Sequence, residues 1–299
     1  MTHRIRIVDV FTEEALAGNQ LAVVLDAADI PGELMQRIAR EMNFSETTFV
    51  LPPDDASHAA RVRIFTPAVE LPFAGHPTIG TAWVLWQEKL VPEGATRFLL
   101  EEKVGPVPVT RVTESGRTMF WMSHPRLEFG RTFERRAEMA AALGLTESDL
   151  APGVPMQVAT TGAPYLFVAL RNKAAVDAAI SDAARLGDVF QHEPEVAVFI
   201  FAVDGPGRLY SRMFAGHVID IREDPATGSA SGPLGAFAVR HGLVPRATEV
   251  SLVSEQGTKM GRRSILHVEL GYDDPGDIPT RIEVGGSVMP VLTGTLEDF

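Results

Sequence analysis

The 299-residue chain has no cysteine, and this absence removes several kinds of chemistry at once. Disulfides, thiolate metal sites and cysteine nucleophiles are all excluded. Positive charge is also in short supply, because 27 Lys and Arg residues stand against 39 Asp and Glu, for a formal net charge of −12. Affinity for nucleic acid depends on cations that neutralise phosphates, so we expect no nucleic-acid partner.

Long apolar runs are missing too. No segment approaches the length of a membrane-spanning helix, and the N-terminal sequence MTHRIRIVDVF lacks the apolar core and cleavage site of a signal peptide. We therefore expect a cytoplasmic protein without a membrane partner. The eight histidines are scattered, without the spacing of ligands on one helix face, so no metal site is expected.

Three common enzyme motifs fail in this sequence. The chain has no Gly-Lys-Ser/Thr at the spacing of a phosphate-binding P-loop. Gly205-Pro206-Gly207 lacks the third glycine of a dinucleotide-binding fingerprint. The run from Gly228 to Gly232 places Ala230 where a nucleophile elbow carries its serine.

Two similar loops are what the sequence does contain. Residues 72–80 read PFAGHPTIG, and residues 223–232 read EDPATGSASG. Each loop sets a glycine near an acid or an imidazole and leads into an apolar, helix-like segment. A glycine-rich loop that opens a helix presents free N–H groups and the positive end of the helix dipole, which suits an anion. The pair predicts a cleft that binds a small carboxylate from both sides.

The order of predicted elements around each loop is also similar. Strands and a glycine turn precede each loop, and helices are predicted over 78–90 and 234–240 after the loops, with a further helix over 174–186. This pattern predicts two similar α+β halves, residues 1–125 and 126–299. The pattern also allows the last strand of the chain to pair with the sheet of the first half.

Four side chains are candidates for the chemistry. Glu46 lies in an apolar, β-branched stretch, where burial raises a carboxyl pKa as a general acid/base requires. His76 stands at the start of a predicted helix, which favours a neutral imidazole. Asp224 and Ser229 lie in the second loop. Each also has an ordinary alternative: a glutamate facing water, a packed histidine, a turn-forming aspartate and a helix-capping serine.

These residues belong to motifs that extend over nearly the whole chain. The motifs are DVFT at 9–12, GN at 18–19, NFSET at 43–47, FAGHP at 73–77, EDPATGSA at 223–230 and EQG at 255–257. On these motifs the chain resembles the PhzF family, the phenazine-biosynthesis-like isomerases. Arg263 departs from the family, which often has proline there, and we expect it in a late loop away from the chemistry.

The resemblance implies a fold similar to that of diaminopimelate epimerase. That fold has two α+β halves, each a strongly curved mixed sheet around a central helix, with the site in the cleft between them. The epimerases use one cysteine from each half as acid and base. Ala74 and Thr227 stand near the positions of those cysteines, so the two-thiol mechanism is not available to this chain.

The resemblance also implies an activity. It is the cofactor-independent isomerisation of a small amino- or hydroxy-carboxylate, as in the isomerisation of trans-2,3-dihydro-3-hydroxyanthranilate, by a protein that forms a homodimer. Glu46 would be the acid/base, while His76 and Asp224 would orient the amino group and assist proton movement. The carboxylate would be held by Ser229 and by the N–H groups of Gly75, His76 and Gly228.

Two other functions remain open at this point. One is an epimerase or dehydratase that acts on a small amino acid through a carboxylate base. The other is a non-catalytic metabolite-binding protein that keeps the fold. The presence of Glu46 beside the three other candidates argues against the binding protein, since binding alone does not need that glutamate.

Overall fold

A computed structural model describes residues 2–190, 196–218, 221–273 and 276–297. The chain divides into two compact units. Unit 1 comprises Met1–Ser123 and Gly285–Phe299, and unit 2 comprises His124–Val284. Within the described ranges, none of the helices is both long enough and apolar enough to cross a membrane.

Strands make up most of the regular structure. In chain order they are β1 (His3–Val10), β2 (Asn19–Val24), β3 (Glu46–Leu51), β4 (Ala60–Phe65), β5 (Glu70–Leu71), β6 (Arg97–Glu102), β7 (Gly105–Glu114), β8 (Arg117–Ser123), β9 (Glu128–Phe133), β10 (Met156–Thr160), β11 (Pro164–Ala169), β12 (Ala197–Val203), β13 (Arg208–Ala215), β14 (Ile221–Asp224), β15 (Glu249–Gln256), β16 (Ser264–Gly271), β17 (Arg281–Gly286) and β18 (Val288–Leu296).

The described helices are fewer and shorter. They are α1 (Gly32–Met42), α2 (Gly75–Gln87), α3 (Arg136–Ala142), α4 (Lys173–Ala178), α5 (Ala183–Val189) and α6 (Gly228–Arg240). Single 3₁₀ turns cover Ala27–Asp29, Glu147–Asp149 and Thr258–Met260.

Unit 1 is a mixed sheet around α2. Strand β1 lies antiparallel to both β18 and β2, and β2 runs parallel to β3. Strand β4 is antiparallel to β3 and to β5, and it runs parallel to β6. Strands β6, β7 and β8 then form an antiparallel meander. Helix α2 packs against β1, β2 and β3 and also against β8 and β18. Because these strands lie at both ends of the series, the sheet curves around the helix.

Unit 2 has the same series of pairings. Strands β9 and β10 are antiparallel, as are β10 and β11, and β11 runs parallel to β12. Strand β13 pairs antiparallel with β12 and β14 and parallel with β15, which is antiparallel to β16. Helix α6 packs against β10, β11 and β16. Each unit is therefore α+β, with one helix packed into its mixed sheet.

Burial explains why the boundaries of these two helices are hard to predict from periodicity. Ten of the thirteen residues of α2 and twelve of the thirteen residues of α6 are buried. A helix that is covered on all sides has no polar face, so its sequence lacks an amphipathic stripe. Helix α1 is the opposite case, since its buried Met35, Ile38 and Ala39 form one face against a core that includes Phe49 and Phe65.

The predicted helix boundaries need three corrections. Helix α2 covers 75–87 rather than 78–90, because Pro77 fits the first turn of a helix, where its missing N–H has no intrahelical partner to lose. Helix α6 begins at Gly228 rather than Leu234, and it continues through Pro233 because packing around the buried helix outweighs the proline.

The third correction concerns residues 174–186, which do not form one helix. They are divided between α4 and α5, and the chain is extended at Ala179 between them. Asp182 caps the second helix by accepting a hydrogen bond from the Arg185 amide. A capping aspartate competes with continued helix, which explains the break.

Candidate active site

Glu46 and His76 lie together in unit 1. Glu46 is the first residue of β3, whose six residues are all buried, and His76 is the second residue of α2. The two side chains approach each other with His76 Nε2 3.4 Å from Glu46 Oε2. This separation is slightly longer than a normal N–H···O hydrogen bond. The exposed fractions are only 8% for Glu46 and 3% for His76, so the carboxylate and the imidazole meet away from bulk water.

Asn19 determines which nitrogen of His76 carries the proton. Its amide Nδ2 lies 3.1 Å from His76 Nδ1 and can only donate, so Nδ1 accepts and the ring proton is on Nε2, the atom nearest Glu46. Burial lowers the pKa of His76 from 6.5 to about 3. The imidazole is therefore neutral at physiological pH and presents an N–H to the carboxylate.

The turn at Gly18 places Asn19 in this position. Gly18 has a φ of 71°, and a Cβ atom there would lie 2.4 Å from the carbonyl oxygen of Val10. Only glycine fits both the left-handed backbone and this close approach. In the Gly-Asn pair, Gly18 therefore forms the turn, and Asn19 donates the hydrogen bond to His76.

Asp224 lies at the corresponding end of unit 2, as the last residue of β14. Its carboxylate Oδ2 accepts a hydrogen bond of 2.6 Å from Thr227 Oγ1. Gln256 holds both residues, because its Nε2 donates to the Asp224 carbonyl at 2.8 Å and to Thr227 Oγ1 at 3.0 Å. The Gln256 Oε1 accepts from the Thr227 amide at 3.1 Å. Gln256 thereby fixes the residue that precedes helix α6.

Ser229 is the second residue of α6, the position that His76 has in α2. Its hydroxyl lies 2.8 Å from the hydroxyl of Tyr165, and both side chains are buried. Since either hydroxyl can donate, this contact leaves a proton or a lone pair of Ser229 available to a ligand.

Both helices begin without a side-chain cap. The N-cap residues are Ala74 for α2 and Thr227 for α6, and neither side chain bonds the first turn of its helix. The first residues, Gly75 and Gly228, have no side chain that would cover their N–H groups. Each helix start can therefore receive an anion from outside the helix.

The predicted site residues thus form one group in each unit. Unit 1 brings Glu46, Gly75 and His76 together, and unit 2 brings Asp224, Gly228 and Ser229 together. Among the described residues, no group of three or more His, Asp and Glu side chains could hold a metal ion.

Sequence reasoning did not assign a role to Asn19, Tyr165 or Gln256. The GN and EQG motifs contain two of these residues, so the motifs themselves were the signal that could have found them. Tyr165 carries no such signal, because its contact with Ser229 joins residues that are distant in the chain.

This geometry defines a class of protein: an α+β chain of two units in which a buried glutamate lies beside a neutral histidine. The family model described as "Phenazine biosynthesis-like protein" (PhzC-PhzF) matches residues 8–294. The chain therefore belongs to the PhzF family.

Curated relatives match over nearly their full length. Trans-2,3-dihydro-3-hydroxyanthranilate isomerase of Pseudomonas aeruginosa is 39% identical over 286 residues, covering 95% of this chain and 96% of that protein. The protein of the same name from Pseudomonas chlororaphis is 35% identical over 295 residues, covering 98% and 99%.

Solved structures agree with this assignment. A PhzF family protein of Bacillus anthracis has a TM-score of 0.90 at 27% identity, with 100% of both chains covered. A predicted epimerase of Pseudomonas aeruginosa has a TM-score of 0.81 at 32% identity, covering 99% of this chain and 100% of that one. A hydroxyproline epimerase of Agrobacterium vitis, at 14% identity and a TM-score of 0.67 with 99% and 92% covered, shares the fold.

Proposed function

We propose that this chain is an isomerase that moves a proton within a small amino- or hydroxy-carboxylate. Trans-2,3-dihydro-3-hydroxyanthranilate, which the names of its relatives specify, is the first substrate to test. The observation that carries the proposal is the buried Glu46 carboxylate 3.4 Å from a neutral His76. No oxidant or reductant is required, since an isomerisation neither gains nor loses electrons.

In the proposed reaction Glu46 acts first as base and then as acid. It takes a proton from one ring carbon, the electron pair of that C–H bond shifts through the adjacent double bond, and a proton returns to another ring carbon. His76, neutral and protonated on Nε2, donates a hydrogen bond and does not add a positive charge. Asp224, with its Oδ2 held by Thr227, orients the substrate's amino group and assists proton movement.

The carboxylate of the substrate is assigned to the two helix starts. The N–H groups of Gly75, His76 and Gly228 and the Ser229 hydroxyl provide oriented donors for it. Such preorganised dipoles bind an anion without a buried arginine, and they do not need to reorganise during the reaction.

The test measures deuterium uptake from deuterated water into the candidate substrate. Glu46→Gln keeps the shape of the side chain but cannot accept a proton, and it should lower the exchange rate by roughly 100-fold or more. Glu93→Gln is the matched control, because Glu93 is exposed. Exchange that survives in Glu46→Gln would refute the assigned role.

An epimerase is the second candidate, and the 32% identical predicted epimerase favours it. The same exchange experiment distinguishes the two activities through the product. An isomerase gives a product with a moved double bond, whereas an epimerase gives the mirror configuration at the carbon that exchanged. Saturable binding without any exchange would instead indicate a metabolite-binding protein.

We also propose that the enzyme acts as a cytoplasmic homodimer without a cofactor. The family resemblance supports the dimer, and the absence of cysteine is compatible with a reducing compartment. Light scattering of the purified protein tests the assembly, with a mass near twice 32.4 kDa expected. A mass of a single chain at micromolar concentration would count against the dimer.

A further inference from the structure

Glu102 is a buried carboxyl group that the proposed chemistry does not use. It is the last residue of β6 and has an exposed fraction of 7%. Its Oε1 lies 2.5 Å from the hydroxyl oxygen of Thr78, in the first turn of α2. Its Oε2 is buried and has no hydrogen-bond partner within the described part of the chain.

The count of protons at Thr78 indicates the state of Glu102. The Thr78 hydroxyl has one proton and lies 2.8 Å from the carbonyl oxygen of Ala74 as well as 2.5 Å from Glu102 Oε1. If Glu102 were ionised, two acceptors would compete for that proton, and a buried charge would remain on Oε2. If Glu102 is protonated, it donates to Thr78 and Thr78 donates to Ala74, so both bonds form.

Burial favours the same state. It raises the pKa of Glu102 from 4.5 to about 8, which keeps the carboxyl group neutral at physiological pH. The bond to Thr78 opposes this shift but is the smaller effect.

Most of the charged groups around Glu102 are paired with one another. A cavity of about 430 Å³ is lined by Glu102 and by Asp54, Arg61, Arg63, Glu70, Glu101 and Lys103. Arg61 pairs with Asp54, Arg63 with Glu70, and Glu101 with His58. Lys103 is exposed to solvent, and the titratable residue of α2, His76, is neutral. None of these groups is among the causes of the raised pKa of Glu102.

Unit 2 has a neutral amide at the corresponding position. In unit 1 the parallel pair β4 and β6 sets Arg61 opposite Glu101, and in unit 2 the pair β13 and β15 sets Tyr210 opposite Glu255. The next residue of each second strand is Glu102 in unit 1 and Gln256 in unit 2.

Gln256 donates hydrogen bonds at the start of α6, to the Asp224 carbonyl and to Thr227 Oγ1. A protonated carboxyl group resembles an amide in shape and offers one donor and one acceptor. The two units therefore place a neutral donor at the same point beside a helix start.

We propose that Glu102 is a positioning residue that works as a protonated carboxyl group. It donates through Thr78 to the carbonyl of Ala74, the residue that precedes α2, and so fixes the first turn that carries Gly75 and His76. The effect on catalysis rests on the role proposed for His76, whereas the effect on the position of His76 does not.

The decisive measurement is the pair of ring ¹⁵N signals of His76, followed by NMR from about pH 6 to about pH 9.5 in the substrate-free protein. In the wild type these signals should move with a midpoint set by Glu102. In Glu102→Gln they should not move in this range, because an amide donates at every pH. In Glu102→Met they should be displaced at every pH. Wild-type signals that stay constant, or Glu102→Gln signals displaced like those of Glu102→Met, overturn the proposal.

A second pair of variants guards against misfolding of Glu102→Met. Thr78→Ser keeps the hydroxyl and should keep the wild-type pH response of His76, whereas Thr78→Val should abolish it. With an active substrate, Glu102→Met should lower kcat roughly tenfold or more at neutral pH, and Glu102→Gln should restore kcat and remove the alkaline decline. If deuterium exchange survives in Glu46→Gln, the proposed function is refuted. The NMR titration of His76 still tests the positioning role of Glu102 in that case.

Discussion

Arg212 holds Glu223 through two parallel hydrogen bonds, from Nε to Oε1 at 2.8 Å and from Nη2 to Oε2 at 2.9 Å. Arg63 and Glu70 of unit 1 form the same pair at 2.8 and 2.9 Å. The environments differ, because Arg212 is buried whereas 31% of the Arg63 side chain is exposed. In addition, Nη1 of Arg212 donates to two backbone carbonyls, at 3.0 and 2.7 Å. Each unit thus has an arginine–glutamate pair of the same geometry, and the pair in unit 2 is the more buried of the two.

This difference predicts unequal costs for the same substitution. Arg212→Met leaves Glu223 without its cation and removes one donor from each of two carbonyls, and it should lower the free energy of unfolding by roughly 3–5 kcal/mol. Arg63→Met should lower the free energy of unfolding by about 1 kcal/mol or less, because Arg63 is partly exposed to solvent. Urea unfolding of both variants measures the difference. Equal losses would mean that burial does not set the contribution of these pairs.

Glu102 predicts a pH dependence of stability. Its pKa is about 8 in the folded chain against 4.5 for the ordinary group, so between these values the folded state holds a proton that the unfolded state has released. The contribution of this group to stability is therefore complete below about pH 4.5, falls as the pH rises toward 8, and is constant above that.

Glu102→Gln should remove this decline. Relative to the wild type, the variant gains stability across the interval, by roughly 5 kcal/mol as an upper bound. Unfolding free energies at about pH 5, 7 and 9 test this, with Glu93→Gln as the control for loss of a glutamate charge. Parallel curves for wild type and Glu102→Gln would contradict the prediction.

Much of the fold was accessible from the sequence because local patterns agree with tertiary structure. The alternation in β4, with Val62 and Ile64 buried and Arg61 and Arg63 partly exposed, is typical of a strand with one polar face. Helix α1 has local signals of the same kind, because its buried residues form one apolar stripe and Asn43, with a left-handed backbone, follows its last residue. The α+β class follows from many elements of this kind.

The errors arose where packing overrides local preference. The first turns of α6 contain glycines, serines and Pro233, which favour a loop in isolation, yet every one of these residues is buried in a helix. Glu102 stands in the charged run Glu101-Glu102-Lys103, which reads as a solvated surface. Only the register of β6 reveals that one of its carboxyl groups points inward. The contact between Tyr165 and Ser229 likewise depends on tertiary structure.

Tyr165 predicts a defect in substrate binding. Tyr165→Phe removes the hydroxyl that lies 2.8 Å from Ser229, so the serine loses its orientation. We expect KM to rise about fivefold with a smaller change in kcat, and stability to fall by about 1 kcal/mol. Steady-state kinetics and urea unfolding provide the two measurements.

Tyr272→Phe is the matched control for this variant. Tyr272 is also buried in unit 2, but its hydroxyl has no hydrogen-bond partner in the described part of the chain. Its removal should leave KM unchanged and stability unchanged or slightly higher, since a buried unsatisfied hydroxyl is lost. The interpretation fails if both variants raise KM equally.

Asn19→Asp should convert the neutral imidazole of His76 into one that titrates at a higher pH. A carboxylate in place of the amide accepts from Nδ1, which draws the ring proton away from Nε2 and favours the doubly protonated, charged ring. The pKa of His76 should rise from about 3 toward neutrality, and activity should fall at least tenfold because Nε2 no longer reliably presents a proton beside Glu46. NMR titration of the ring gives the pKa directly.

Asn172→Asp is the control, because Asn172 caps α4 by accepting from Ala175 and an aspartate can do the same. A His76 midpoint that is unchanged in Asn19→Asp would show that Asn19 does not control the protonation of this histidine.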